Sequence, residues 1–171
     1  FNSIKFTKDK ITVYPFLKNK KIINIIRNNF LLFFTNIRRN SSDILKKQFN
    51  ISKNQEKILD EMKGQVDQIL GVLREGKNLD KIGKILDYGW FLKKKISSKI
   101  TSSQIERYYK IAKKNGSRGG KLLGAGGGGF LLIYCPKNKK QKITNSLKQL
   151  FCLNFDLDIK GTHKIYSNIE I

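Results

Sequence analysis

The sequence predicts an α+β domain of the ferredoxin-like, split βαβ type with a helical insertion in its first crossover, and three observations carry that expectation. Phe30 to Phe34 is a continuous apolar run of strand length, as a strand buried on both faces requires. From Ser42 to about Asn115 the apolar spacing changes to that of helices. A glycine-rich stretch then joins two further strand-like runs, and one more helix and strand follow. From Phe30 onward the order is therefore strand, helices, strand, strand, helix, strand.

Ahead of that order, Ile4 to Phe6 and Ile11 to Phe16 are short β-type runs separated by Thr7-Lys8-Asp9-Lys10, which suits a hairpin. Pro15 marks an edge or an ending, because proline cannot donate to a ladder. Ile22 to Arg27 can form one short helix. Residues 1–28 are thus expected as a hairpin and connector, and residues 29–171 as the main domain.

Within the helical stretch, Val66, Ile69, Leu70 and Leu73 fall at i, i+3, i+4 and i+7, and Ile82, Ile85, Leu86 and Trp90 form a similar stripe. Gly76, with Asn78 and Leu79 after it, breaks these two helices. Ser103 followed by Glu106 has capping-box spacing and opens a third helix, whose inner stripe is Ile105, Tyr108, Tyr109 and Ala112 and which Asn115-Gly116 closes. Lys121 to Gly124 and Phe130 to Cys135 read as strands. Pro136 starts a helix with Ile143, Leu147, Leu150 and Phe151 inward. Leu157 to Ile159 and Lys164 to Tyr166 supply the last strand material.

Composition bounds what such a domain does. The chain has 171 residues, 39% of them hydrophobic, enough for one ordinary core. It opens with Phe1 and its single methionine is Met62, which favours a piece of a longer protein. No apolar run approaches the roughly 20 residues that cross a bilayer, and Phe1 to Phe16 alternates where a signal peptide would not. Cys135, Cys152 and His163 lack metal-ligand spacing, so reduced thiols in a cytoplasm are expected. Asp60, Glu61 and Asp67 read as solvated charges on a helix face.

The net charge of +22 would attract nucleic acid or other anions. Its lysines are scattered through every segment, however, and they accompany an excess of Ile and Asn of the kind a genome rich in A and T produces. They are not gathered with aromatics into one stripe, so the pattern speaks against nucleic acid as the partner.

The most informative stretch is Gly119-Gly120-Lys121-Leu122-Leu123-Gly124-Ala125-Gly126-Gly127-Gly128-Gly129-Phe130. Gly124 to Gly129 formally satisfies G-x-G-x-x-G, but a dinucleotide fingerprint must run into a helix, and here a strand follows. No Walker P-loop exists either. A two-residue hairpin turn needs one or two glycines, and each extra one costs about 0.5–1 kcal/mol relative to Ala. The surplus points to close approach of a ligand or of another backbone.

Lys121 to Phe130 resembles the third conserved motif of the GHMP kinases, in the form typical of heptose 7-phosphate kinases. Phe34-Thr35-Asn36-Ile37-Arg38-Arg39-Asn40-Ser41-Ser42 fits in order, as do Trp90 with Lys93-Lys94-Lys95 before Ser97, and Gly119-Gly120. The family's strand-end pattern has Gly where this chain has Asn36, a residue that tolerates the left-handed region. The resemblance implies a GHMP kinase carboxyl-terminal domain, with residues 1–28 left from the amino-terminal domain. That missing domain would carry the phosphate loop, the catalytic aspartate and most contacts to ATP and Mg2+. Gly124, Ala125, Gly126, Gly127 and Gly128 would line the cleft beside the sugar-phosphate substrate, with Thr35 and Arg39 at the end of the buried strand and Arg39 able to grip a phosphate in bidentate fashion. The implied reaction moves the γ-phosphoryl of ATP to the anomeric hydroxyl of D-glycero-D-manno-heptose 7-phosphate, and this chain would not turn over alone. A basic nucleic-acid-binding module and an inactive truncated kinase are the alternatives.

Overall fold

A computed structural model describes residues 2–15, 20–38 and 52–157. It opens with the expected hairpin, β1 (Asn2–Phe6) and β2 (Ile11–Pro15), paired antiparallel with Phe6 opposite Ile11. Thr7 closes the turn: its amide and its hydroxyl each donate to the Lys10 carbonyl at 2.9 Å. The Lys10 amide returns a bond to Thr7 Oγ1 at 3.1 Å, a local side-chain turn that four polar residues can form.

Helix α1 (Lys20–Asn29) runs straight into β3 (Phe30–Phe34). Asn29 ends the helix by joining the sheet: its carbonyl accepts from the Cys135 amide at 2.8 Å and its side chain donates to the Cys135 carbonyl at 3.1 Å. Helix α2 (Lys53–Glu75) starts with a full capping box between Ser52 and Gln55, and ends where Gly76 turns left-handed at φ 63°. Its inner line differs from the expected stripe. Val66 is 51% exposed, and the buried positions are Ile58, Gln65 and Val72, spaced seven apart. Gln65 sits inside because its amide donates to the Ile85 carbonyl at 3.3 Å, a polar partnership that an apolar count cannot detect.

Helix α3 (Asp80–Ile96) buries Ile82, Trp90 and Leu92, and the turn Ser98–Ile100 follows. Helix α4 (Ser103–Lys114) buries Ile105, Tyr108, Tyr109 and Ala112 as expected, but its cap is Ser102, whose Oγ accepts from the Ile105 amide. Glu106 is drawn away from capping by Thr101 Oγ1 and Lys94 Nζ, each donating at 2.8 Å.

Strands β4 (Gly119–Leu122) and β5 (Phe130–Tyr134) flank the glycine loop, so β4 begins two residues before the expected Lys121. After a turn at Lys137–Lys139, α5 (Lys140–Ser146) is shorter than its apolar spacing suggests. Ile143, Leu147 and Leu150 are buried, whereas Phe151 is 71% exposed and opens β6 (Phe151–Leu153). The reason is the free edge of β3: Phe34 pairs with Phe151 and Leu32 with Leu153, so ladder bonds override the helical period. Leu157 is described outside any strand, and the strand material expected beyond it, with His163, lies outside the described residues.

The main sheet has the order β4-β5-β3-β6 with every neighbouring pair antiparallel. The helical crossover from β3 thus skips over β5 before joining β4, and the crossover from β5 skips over β3 before joining β6. Leu31 and Phe33 of β3 pack with Leu131, Ile133, Ile105, Tyr109, Ile143 and Leu147. Phe30 packs in a second cluster with Tyr134, Val72 and Ile82. Burial of β3 through both clusters is what its unbroken apolar run required. No helix among the described residues is long and apolar enough to cross a membrane.

Candidate functional site

The loop between β4 and β5 is held, not open. Its base closes through the Leu123 amide, which donates to the Phe130 carbonyl at 2.8 Å. One flank lies on the chain leaving β3. The Thr35 amide and hydroxyl donate to the Gly129 carbonyl at 2.9 and 2.8 Å, and the Gly129 amide donates to the Ile37 carbonyl at 3.0 Å. A Cβ on Gly128 would overlap that Ile37 carbonyl, so only glycine lets the two backbones approach this closely. The other flank lies on the turn after α3, where the Gly127 amide donates to the Ile100 carbonyl at 2.7 Å.

Ala125 packs against the core cluster, while Gly124 stands at the outer rim with φ 71° and nothing within 4 Å of a Cβ built there. The loop is therefore anchored at its second half and leaves open space at its first. Thr35 is buried, and Asn36 adopts φ 55°, a left-handed backbone that asparagine tolerates. Thr35→Val keeps the shape and removes the hydroxyl bonds to the Gly129 carbonyl and from the Ile37 amide, the latter at 3.4 Å. It is expected to destabilise the fold by about 1–2 kcal/mol in chemical denaturation, because a buried carbonyl loses one of two donors.

Of the site residues expected from sequence, the structure brings Thr35 together with the glycines through Gly129. Arg39 lies outside the described residues. Two lysines adjoin the same rim. Lys93 of α3 donates from Nζ to the Gly124 carbonyl at 2.5 Å, and Lys121 of β4 lies near enough for its charge to act on it. Burial, with that like charge added, lowers Lys93 to about 8, and burial also lowers Lys121. The carbonyls of Ile37 and Ile100 complete the frame. Neither has a signature in sequence, and Lys93 was marked there only as part of the Lys93-Lys94-Lys95 run.

Behind β4, Tyr109 of α4 donates to Asp87 of α3, and Lys113 Nζ donates to the same carboxylate at 2.7 Å. Burial and the Asp87 bond push the Tyr109 phenol up, which keeps it a neutral donor and ties α4 to α3 beneath the loop. Among the described residues no group of His, Cys, Asp and Glu is gathered to hold a metal ion.

A doubly crossed α+β sheet whose glycine loop is clamped between a strand end and a helical turn is a recognisable class. Residues 69–151 match the family described as GHMP kinases C terminal. Within that class it is similar to D-glycero-alpha-D-manno-heptose 7-phosphate kinase of Campylobacter jejuni subsp. jejuni serotype O:2, at 30% identity over 153 residues, covering 87% of this chain and 44% of that protein. Among solved structures, L. major mevalonate kinase in complex with R-mevalonate superimposes with a TM-score of 0.72 at 16% identity, covering 88% of this chain and 47% of that one. A D-glycero-D-manno-heptose 1-phosphate kinase from Bacteroides thetaiotaomicron gives 0.65 at 19% identity, covering 91% and 42%. These two likenesses are of fold. The chain spans less than half the length of each of these three relatives.

Proposed function

We propose that this domain is the substrate-side wall of an ATP-dependent sugar-phosphate kinase acting on the anomeric hydroxyl of D-glycero-D-manno-heptose 7-phosphate. The observation that carries the reading is the clamped loop: a plain hairpin turn would not need Gly128 against the Ile37 carbonyl or Gly127 on the Ile100 carbonyl. The loop also meets residues 35–37, next in chain to Arg39, where the sequence expects a phosphate grip.

Phosphoryl transfer asks little covalent chemistry of a protein and much positioning and charge neutralisation. In this reading Thr35 fixes the loop, and Gly124, Ala125, Gly126, Gly127 and Gly128 give a wall with almost no side chains, against which sugar and phosphate can lie close. Arg39 takes a phosphate oxygen pair. ATP supplies the transferred group and is held mainly by polypeptide corresponding to the remainder of the longer relatives. Mg2+, which accompanies ATP in phosphoryl transfer, is assigned to that same remaining polypeptide.

The test joins this chain to the amino-terminal half of the Campylobacter relative and follows ATP-dependent phosphorylation of the heptose 7-phosphate. The chimera is expected to turn over and the 171-residue chain alone to be inert. A folded chimera that binds sugar phosphate yet transfers nothing overturns the substrate assignment, and turnover by the chain alone overturns the division of labour.

A further inference from the structure

Two other part-buried lysines of the described structure find acids. Lys94 pairs with Glu106 at 2.8 Å and Lys113 with Asp87 at 2.7 Å. Lys93 and Lys121 do not, although both are half-buried and the charge of Lys121 reaches Lys93. Removing an ammonium group from water costs free energy unless a counter-charge or hydrogen bonds replace the lost solvent, and a second cation nearby adds to the cost. Lys93 has one replacement, the Gly124 carbonyl, which leaves two of its three donors uncommitted there. The ground beside Gly124 is open, so a ligand can reach that rim.

We propose that Lys93 and Lys121 form a phosphoryl-anion subsite at the open rim of the glycine loop, in which their two ammonium groups take the oxygens of a terminal phosphate dianion while Lys93 keeps its bond to the Gly124 carbonyl. The inference rests on the reading of this loop as a kinase wall. The phosphate of the sugar substrate and a phosphate of the nucleotide share this chemistry. Two positive charges match a phosphate monoester above its second ionisation, and the Gly124 carbonyl holds Lys93 at the loop's open end.

Titration supplies the readout. The group that faces Lys93 from β4 is Lys121, the loop presents the Gly124 carbonyl, and among the described residues no further charged group acts on it. The free Lys93 ammonium deprotonates near 8, and a bound dianion favours the charged form and moves that midpoint upward. Anion affinity therefore falls as pH rises through about 8, below the ordinary lysine range.

The experiment uses the 171-residue chain with 13C-labelled lysine side chains, titrated by NMR in inorganic phosphate and in chloride at equal ionic strength, with calorimetry against heptose 7-phosphate, unphosphorylated heptose and ATP. Phosphate is expected to raise the Lys93 midpoint. Lys93→Met and Lys121→Gln are each expected to weaken phosphate and heptose 7-phosphate about tenfold or more, the loss of one charge-assisted bond. If the variants weaken ATP and leave heptose 7-phosphate unchanged, the subsite stands and its source is the nucleotide. Unchanged affinity in both variants, or a midpoint that phosphate does not move, overturns it. Should a variant not fold, the wild-type titration alone decides. None of these readings needs turnover, so failure of the kinase reading shows separately, as a dead chimera whose phosphate binding is intact.

Discussion

Gly128→Ala is expected to lower the free energy of unfolding by about 2–3 kcal/mol and to abolish phosphotransfer in any chimera that contains it. The added methyl would overlap the Ile37 carbonyl oxygen and sit 2.9 Å from the Ile37 carbonyl carbon. Backbone cannot turn aside as the end of a lysine can. Neighbouring bonds resist the shift as well: Gly129 to Ile37 at 3.0 Å, and Thr35 to Gly129 at 2.8 and 2.9 Å, lie next to the clash. Gly124→Ala is the control. Its methyl meets nothing within 4 Å, so the cost is that of a left-handed backbone at φ 71° alone, about 1 kcal/mol. Urea denaturation separates the two, and equal midpoints for both variants would mean that the loop does not touch the strand end.

Phe33→Ala should cost about 3–5 kcal/mol. Phe33 is 0% exposed on β3, which has β5 on one side and β6 on the other, and its ring fills the cluster with Leu131, Ile133 and Ile143. Neither flank can collapse into the hole, because each is held by ladder bonds to β3 itself. The comparison residue is Phe151, of the same size but 71% exposed, whose truncation is expected to change stability by less than about 0.5 kcal/mol. A small effect at Phe33 would contradict the central position of β3.

Much of this arrangement was legible in the residues. An unbroken Phe-Leu-Leu-Phe-Phe run has few homes other than a strand covered on both faces, and Asn36 announced the left-handed backbone it adopts. The inner stripe of α4 was also plain, since all four of its members are apolar or aromatic. What escaped was decided by partners distant in sequence. Gln65 goes inward for the carbonyl of Ile85, and Ser102 caps α4 because Lys94 and Thr101 claim Glu106. Phe151 leaves the helical period for the edge of a strand formed 117 residues earlier, counting from its partner Phe34. The glycine excess marked the loop, yet its frame is made by the carbonyls of Ile37 and Ile100, groups every residue possesses.

The place of β3 also has a consequence on the ribosome. Thr35, at its end, meets Gly129 across 94 positions, so the neighbouring strand is not yet made when the Phe30–Phe34 run clears the exit tunnel. At 5–20 residues per second that wait lasts on the order of 5–20 s. Throughout it, five consecutive greasy residues hang from a nascent polypeptide with both hydrogen-bonding edges bare, the kind of segment that trigger-type chaperones shield and that clumps when synthesis outruns them.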